Sequence, residues 1–123
     1  MKNFNKLNGL LSLALLSTLS LATIVRADSA NELKANYKCG DFQVEVWKNK
    51  TSGELTYRST SYMGNLTLTG GTQQNTEGVR VYKFPQKNYD YWLWQGTLDN
   101  PKAGTLEIYQ NNRQYKQINC TES

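Results

Sequence analysis

The chain reads as an all-β protein: a small antiparallel β-barrel of seven to eight strands closed by one disulfide. Three observations predict it. From Ala35 onward apolar residues alternate with polar ones at a period of two. Turn-forming clusters interrupt that alternation at a spacing of roughly 8–12 residues. The two cysteines, Cys39 and Cys120, stand at the two ends of the alternating region.

The elements follow in order. Tyr37-Lys38-Cys39 opens the series, and Phe42, Val44 and Val46 alternate with Gln43 and Glu45 on a half-buried strand. Asn49-Lys50-Thr51-Ser52-Gly53 is a turn, after which Leu55, Tyr57 and Ser59 point one way. Leu66 and Leu68 alternate with Asn65, Thr67 and Thr69, and Gly70-Gly71 reads as a tight turn. Val79 and Val81 alternate with Arg80 and Tyr82; Pro85-Gln86-Lys87-Asn88 breaks the run before Tyr89–Trp94. Asp99-Asn100-Pro101 turns again. Leu106 and Ile108 lead to Asn111-Asn112, a two-residue hairpin turn, because Asn tolerates positive φ. Tyr115 and Ile118 carry the last strand to Cys120.

Residues 1–27 have the pattern of a secretory signal. Lys2 and Lys6 precede an apolar run, and Val25-Arg26-Ala27 supplies small residues before a cut at Asp28. Residues 28–34 form a polar lead, and 35–123 a single domain. The expected setting is periplasmic or extracellular, with no membrane anchor left after cleavage. There, an even cysteine count at the domain ends reads as the bond Cys39–Cys120. Closing a loop of about 80 residues, it contributes roughly 4–4.5 kcal/mol in a chain-entropy description.

Cleavage also removes Lys2, Lys6 and Arg26. The net charge of +4 falls to +1, with no Lys/Arg stripe, so a nucleic acid partner is not expected. The chain has no histidine, the commonest general base and metal ligand. Two cysteines are too few for a zinc site, and the phosphate- and dinucleotide-binding fingerprints are absent. Asp41/Glu45, Glu77/Asp90 and Asp99/Glu107 are the carboxylate pairs open to acid–base work, and nothing in their spacing favours it. The expectation is a binding protein without cofactor or metal, not an enzyme.

Tyr82–Trp94 is the richest stretch, with Tyr82, Phe84, Tyr89, Tyr91, Trp92 and Trp94. On a strand Tyr89, Tyr91 and Leu93 face one side, and Asp90, Trp92 and Trp94 the other. Such residues either fill a small core or present a surface for recognition. Asn49-Lys50-Thr51, Asn65-Leu66-Thr67 and Asn119-Cys120-Thr121 also match the glycosylation acceptor pattern.

At Tyr37-Lys38-Cys39 and in its C-terminal third the chain resembles the inhibitors of C-type lysozyme, small exported bacterial proteins built as compact antiparallel barrels. Gly78-Val79-Arg80-Val81-Tyr82, then Tyr91-Trp92-Leu93-Trp94-Gln95-Gly96, then Gly104–Tyr109 through Asn119-Cys120 are the counterparts of the family's segments. The resemblance implies loops that enter a target cleft. Where the family carries a serine and a lysine, this chain has Glu77 and Gln95, and Gly78 to Tyr82 is one residue longer than the usual spacing. A neutral amide cannot pair with cleft carboxylates as a lysine does. The expected binding edge is Glu77, Tyr91, Trp92, Trp94 and Gln95, directed at a lysozyme-like exported protein. The alternatives are a glycan or other flat ligand, or a cell-envelope protein with no discrete site.

Overall fold

The computed structural model describes residues 30–96, 99–100 and 102–123; the expected signal segment 1–27 lies outside them. Nine strands form: β1 (Asn31–Cys39), β2 (Phe42–Asn49), β3 (Leu55–Ser61), β4 (Gly64–Leu68), β5 (Thr72–Thr76), β6 (Val79–Gln86), β7 (Tyr89–Gln95), β8 (Ala103–Gln110) and β9 (Arg113–Glu122). Strand structure begins at Asn31, so residues 31–34 of the polar lead are already sheet.

All nine belong to one sheet, ordered β4-β3-β2-β1-β9-β8-β7-β6-β5. Two meanders, β1–β4 and β5–β9, are therefore joined at β1–β9. There Tyr37 pairs with Glu122, Lys38 with Thr121, and Cys39 with Cys120. The Cys39–Cys120 disulfide is formed, with Cα atoms 4.2 Å apart, the spacing of a non-hydrogen-bonded antiparallel pair.

The expected closed barrel of seven to eight strands is corrected to an open, curled half-barrel of nine, whose edges are β4 and β5. Strand direction explains why. Every ladder registered between neighbours is antiparallel, including β1–β9, and the short Gly40-Asp41 connection makes β1 and β2 antiparallel as well. Directions counted from both ends then leave β4 and β5 running the same way. Thr69–Gly71 joins them, and across it the chain passes from pairing with β3 to pairing with β6. Gly70-Gly71 is thus a bend and not the tight hairpin turn that its composition suggests.

Two glycine properties make the bend possible. Gly70 holds φ +73, a conformation open to glycine at little cost. A Cβ on Gly71 would stand 2.3 Å from the Phe84 ring, so the chain crosses this core residue only where no side chain exists. The disulfide does not clasp the open edges. It lies in the middle of the sheet, where the two meanders meet.

The concave face holds the core: Tyr37, Val44, Val46, Tyr57, Tyr82, Phe84, Leu93 and Leu106 are buried. Tyr57 on β3 reaches across to Phe84 on β6 and Tyr91 on β7, each at 5.5 Å between ring centroids. Burial pushes the phenols of Tyr37 and Tyr57 up to about 12. Turn chemistry fits the hairpins: Asn111 and Asn112 take φ 51 and 66, as the expected turn there requires. At the β2–β3 loop, Asn49 Oδ1 accepts from the backbone N–H groups of Thr51 and Ser52, both at 2.9 Å. The same counting of directions puts the β5–β6 and β7–β8 connections at one end of the sheet.

Candidate functional site

The sequence-derived residues separate onto three surfaces. Trp92 and Trp94 lie on the convex face, half-buried. Tyr91 and Gln95 lie on the concave face, and Glu77 is exposed in the β5–β6 turn. The alternation along β7 is as its sequence indicates, so the five side chains face in different directions.

The convex face of β6–β8 is the most organised of the three. Register sets Lys83, Trp92 and Glu107 side by side, and Val81, Trp94 and Thr105 in the neighbouring row. Val81 is fully buried although it points outward, because the indoles and their neighbours cover it. Trp92 contacts Tyr109 at 4.6 Å and Trp94 at 6.4 Å between ring centroids, so the three rings form a continuous ladder. Lys83 Nζ stands 3.9 Å from the centroid of Trp92, a cation–π contact that occupies one face of that ring.

Glu107 anchors the ladder by accepting the N–H of Trp94. Burial first, and the Glu107 carboxylate second, hold the Tyr109 phenol above its ordinary value. Beside Trp94 a groove of about 250 Å³ runs over Val79, Gly96, Ala103, Gly104 and Thr105. Of its two glycines Gly96 is buried and Gly104 half-buried. Lys83, Tyr109 and the pairing role of Glu107 escape sequence reasoning. Finding them needs the β6–β7–β8 register, which no local pattern supplies.

On the concave face, Tyr91 lines an apolar pocket of about 240 Å³ with Phe42, Tyr57, Ser59, Leu66 and Ile108. Its phenol is raised by burial and then by the neighbouring Tyr89. Gln95 points inward, and its Nε2 donates to the Lys34 carbonyl at 3.3 Å. Glu77, followed by Gly78 at φ 82, holds φ 52 in a two-residue turn. Glu77 and Gln95 do share one end of the sheet, but only Glu77 projects from it.

Among the described residues, no cluster of three or more His, Cys, Asp or Glu is placed to hold a metal, and no helix is long and apolar enough to cross a membrane. Compared with known proteins, the chain matches no family model, no curated protein and no solved structure at a significant level. The resemblance to the lysozyme inhibitors therefore rests on the residues quoted for it.

Proposed function

We propose that this protein is an exported binding module whose convex β6–β8 face stacks against ring-shaped ligands, with glycans as the class of best fit. The observation that carries this reading is the groove at Trp94, which extends the Trp92–Tyr109 ladder and has a glycine-lined floor. An aromatic face edged by polar groups suits a sugar ring, which offers C–H bonds on one side and hydroxyls around its rim. Lys83 already covers Trp92, so Trp94 is the stacking residue, with Thr105 and Glu107 at hydrogen-bonding positions beside it.

Trp47 provides an internal control. It stands on the other meander, where Arg58 approaches its ring at 5.9 Å and Glu45 accepts its N–H at 3.2 Å, without a second indole beside it. Titration of the protein with a panel of soluble oligosaccharides, followed by tryptophan fluorescence, tests the reading. A saturable shift that is lost in Trp94→Ala and kept in Trp47→Ala is expected. No saturable shift with any member of the panel, or equal loss in both variants, removes it.

A second reading, inhibition of a C-type lysozyme by loop insertion, is favoured by Glu77. It holds a left-handed backbone conformation where Asn or Gly is the usual occupant, and strain kept at an exposed tip is typical of functional loops. In this reading Glu77 meets basic groups around the cleft and not the cleft carboxylates, which repel it, while Gln95 is engaged with Lys34. A cell-wall turbidity assay with lysozyme tests it: protection that disappears in Glu77→Asn is expected, and no protection at excess protein discards it.

A further inference from the structure

The concave pocket of about 240 Å³ is built from both meanders. Phe42, Tyr57 and Leu66 come from the first, and Tyr91, Leu106 and Ile108 from the second. Tyr57 and Leu106 are themselves buried and form its inner wall. Met63, in the turn between β3 and β4, also lines it and is 66% exposed, which puts a flexible, polarizable thioether at the entrance.

The lining restricts what can enter. None of these residues carries a charge, so an ionised group inside would have no counter-charge. Three of the walls are aromatic, and the Tyr57 and Tyr91 rings stand 5.5 Å apart with a tilt of 43°. A further ring can meet them edge to face, an arrangement aromatic groups favour and an alkyl chain cannot make. The volume agrees: a cavity of about 150 Å³ holds benzene, so about 240 Å³ suits one ring with small substituents.

Ser59 gives the pocket a polar point. Outside the tyrosines it is the one buried polar residue among the described residues. Its cross-strand partners Val44 and Leu66 are apolar, as is Leu55 on the same face of β3. The Ser59 hydroxyl interacts with the phenol of Tyr57. Two hydroxyls carry more donors and acceptors than one mutual contact uses, so the pair can take a further hydrogen bond.

We propose that this pocket binds a small uncharged aromatic molecule bearing one hydrogen-bonding group, a simple phenol being the type. The ring lies among Phe42, Tyr57 and Tyr91, its hydroxyl pairs with Ser59, and Met63 closes over it. The site is on the opposite face of β7 from Trp92 and Trp94 and is independent of the glycan reading.

The test titrates p-cresol, toluene, benzoate and octan-1-ol separately into the intact, disulfide-bonded protein. The methyl groups of Leu66, Leu106 and Ile108 are followed by carbon–proton NMR. p-Cresol is expected to shift all three saturably, and benzoate none. Ser59→Ala weakens p-cresol about fivefold, the worth of one hydrogen bond, and leaves toluene, the same ring without the hydroxyl, unchanged. Leu66→Phe, on the edge strand β4, fills the pocket with a ring of its own and abolishes the shifts of Leu106 and Ile108. Absence of a saturable p-cresol shift overturns the proposal, and so does its retention in Leu66→Phe. Tighter binding of octan-1-ol overturns it in favour of an acyl-chain site, and equal affinity for benzoate in favour of a site that accepts charge. Unchanged p-cresol affinity in Ser59→Ala overturns it in favour of a purely apolar cavity.

Discussion

The two meanders meet twice, and the two junctions are built in opposite ways. At β1–β9 a registered ladder runs through Tyr37–Glu122, Lys38–Thr121 and Cys39–Cys120, and a covalent bond crosses it. At β4/β5 no ladder joins the two edges in the sheet order, and continuity comes from the chain itself through Thr69, Gly70 and Gly71. The first junction joins residues far apart in sequence, where the entropy of loop closure is large and a crosslink is most effective. The second joins neighbours in sequence, so holding the ends together needs no crosslink. It needs a backbone that can bend and pass over Phe84. The difference shows that the two meanders are held together by a covalent bond at one junction and by glycine geometry at the other.

The largest test of this contrast is removal of the bond. With a separation of 81 residues, the double variant Cys39→Ala/Cys120→Ala is expected to lose roughly 4–4.5 kcal/mol in denaturant unfolding. A loss below about 1 kcal/mol would mean that the β1–β9 ladder and its packing hold that junction unaided. At the other seam, Gly71→Ala drives a methyl group into the Phe84 ring and is expected to cost about 1–3 kcal/mol. Gly70→Ala meets no neighbour and carries only the left-handed strain, about 1 kcal/mol. Reversal of that order would place the demand of the bend in its dihedrals and not in the crossing over Phe84.

A third test concerns the core shared by both junctions. The phenols of Tyr37 and Tyr57 stand near 10 when exposed and about 12 when folded. The folded protein therefore holds these protons more tightly than the unfolded chain. Their stabilising effect is complete below pH 10 and is lost as pH rises toward about 12, on the order of 2 kcal/mol for Tyr57. Alkaline titration followed by phenolate absorbance should show late ionisation coincident with unfolding. Full ionisation of all tyrosines near pH 10, with the fold intact, contradicts it. The smallest effect is local. In hydrogen exchange, amides on the free edges of β4 and β5 are expected to exchange faster than those flanking Cys39 and Cys120. Equal protection would mean that the open edge is covered.

Particular residues show how far the sequence reached. The alternation around Phe42–Val46 and Leu55–Ser59 declared strands because each has one buried face, whereas Tyr89–Trp94 is half-buried on both faces with Leu93 alone fully covered. Thr72–Thr76 is equally a strand, yet Thr-Gln-Gln-Asn-Thr is exposed throughout, and an edge strand without apolar residues leaves no periodic trace. Gly70-Gly71 reads as a hairpin because its composition permits positive φ. Composition does not state whether the chain then reverses or continues. The site divides likewise. That Trp92 and Trp94 share a face opposite Tyr91 follows from the pleat; that Lys83, Glu107 and Tyr109 surround them does not.

The sequence by itself determined the β class, the strands that carry a buried face, the Asn111-Asn112 turn and the pairing of its only two cysteines, since these depend on local periodicity, turn chemistry and parity. Only the tertiary structure decided that the sheet stays open and that the disulfide lies at its centre. It alone separated Glu77, Tyr91 and Gln95 from the tryptophan face. Those outcomes depend on strand direction and on register between segments distant in the chain. A shift of one residue in that register would send every side chain to the other face.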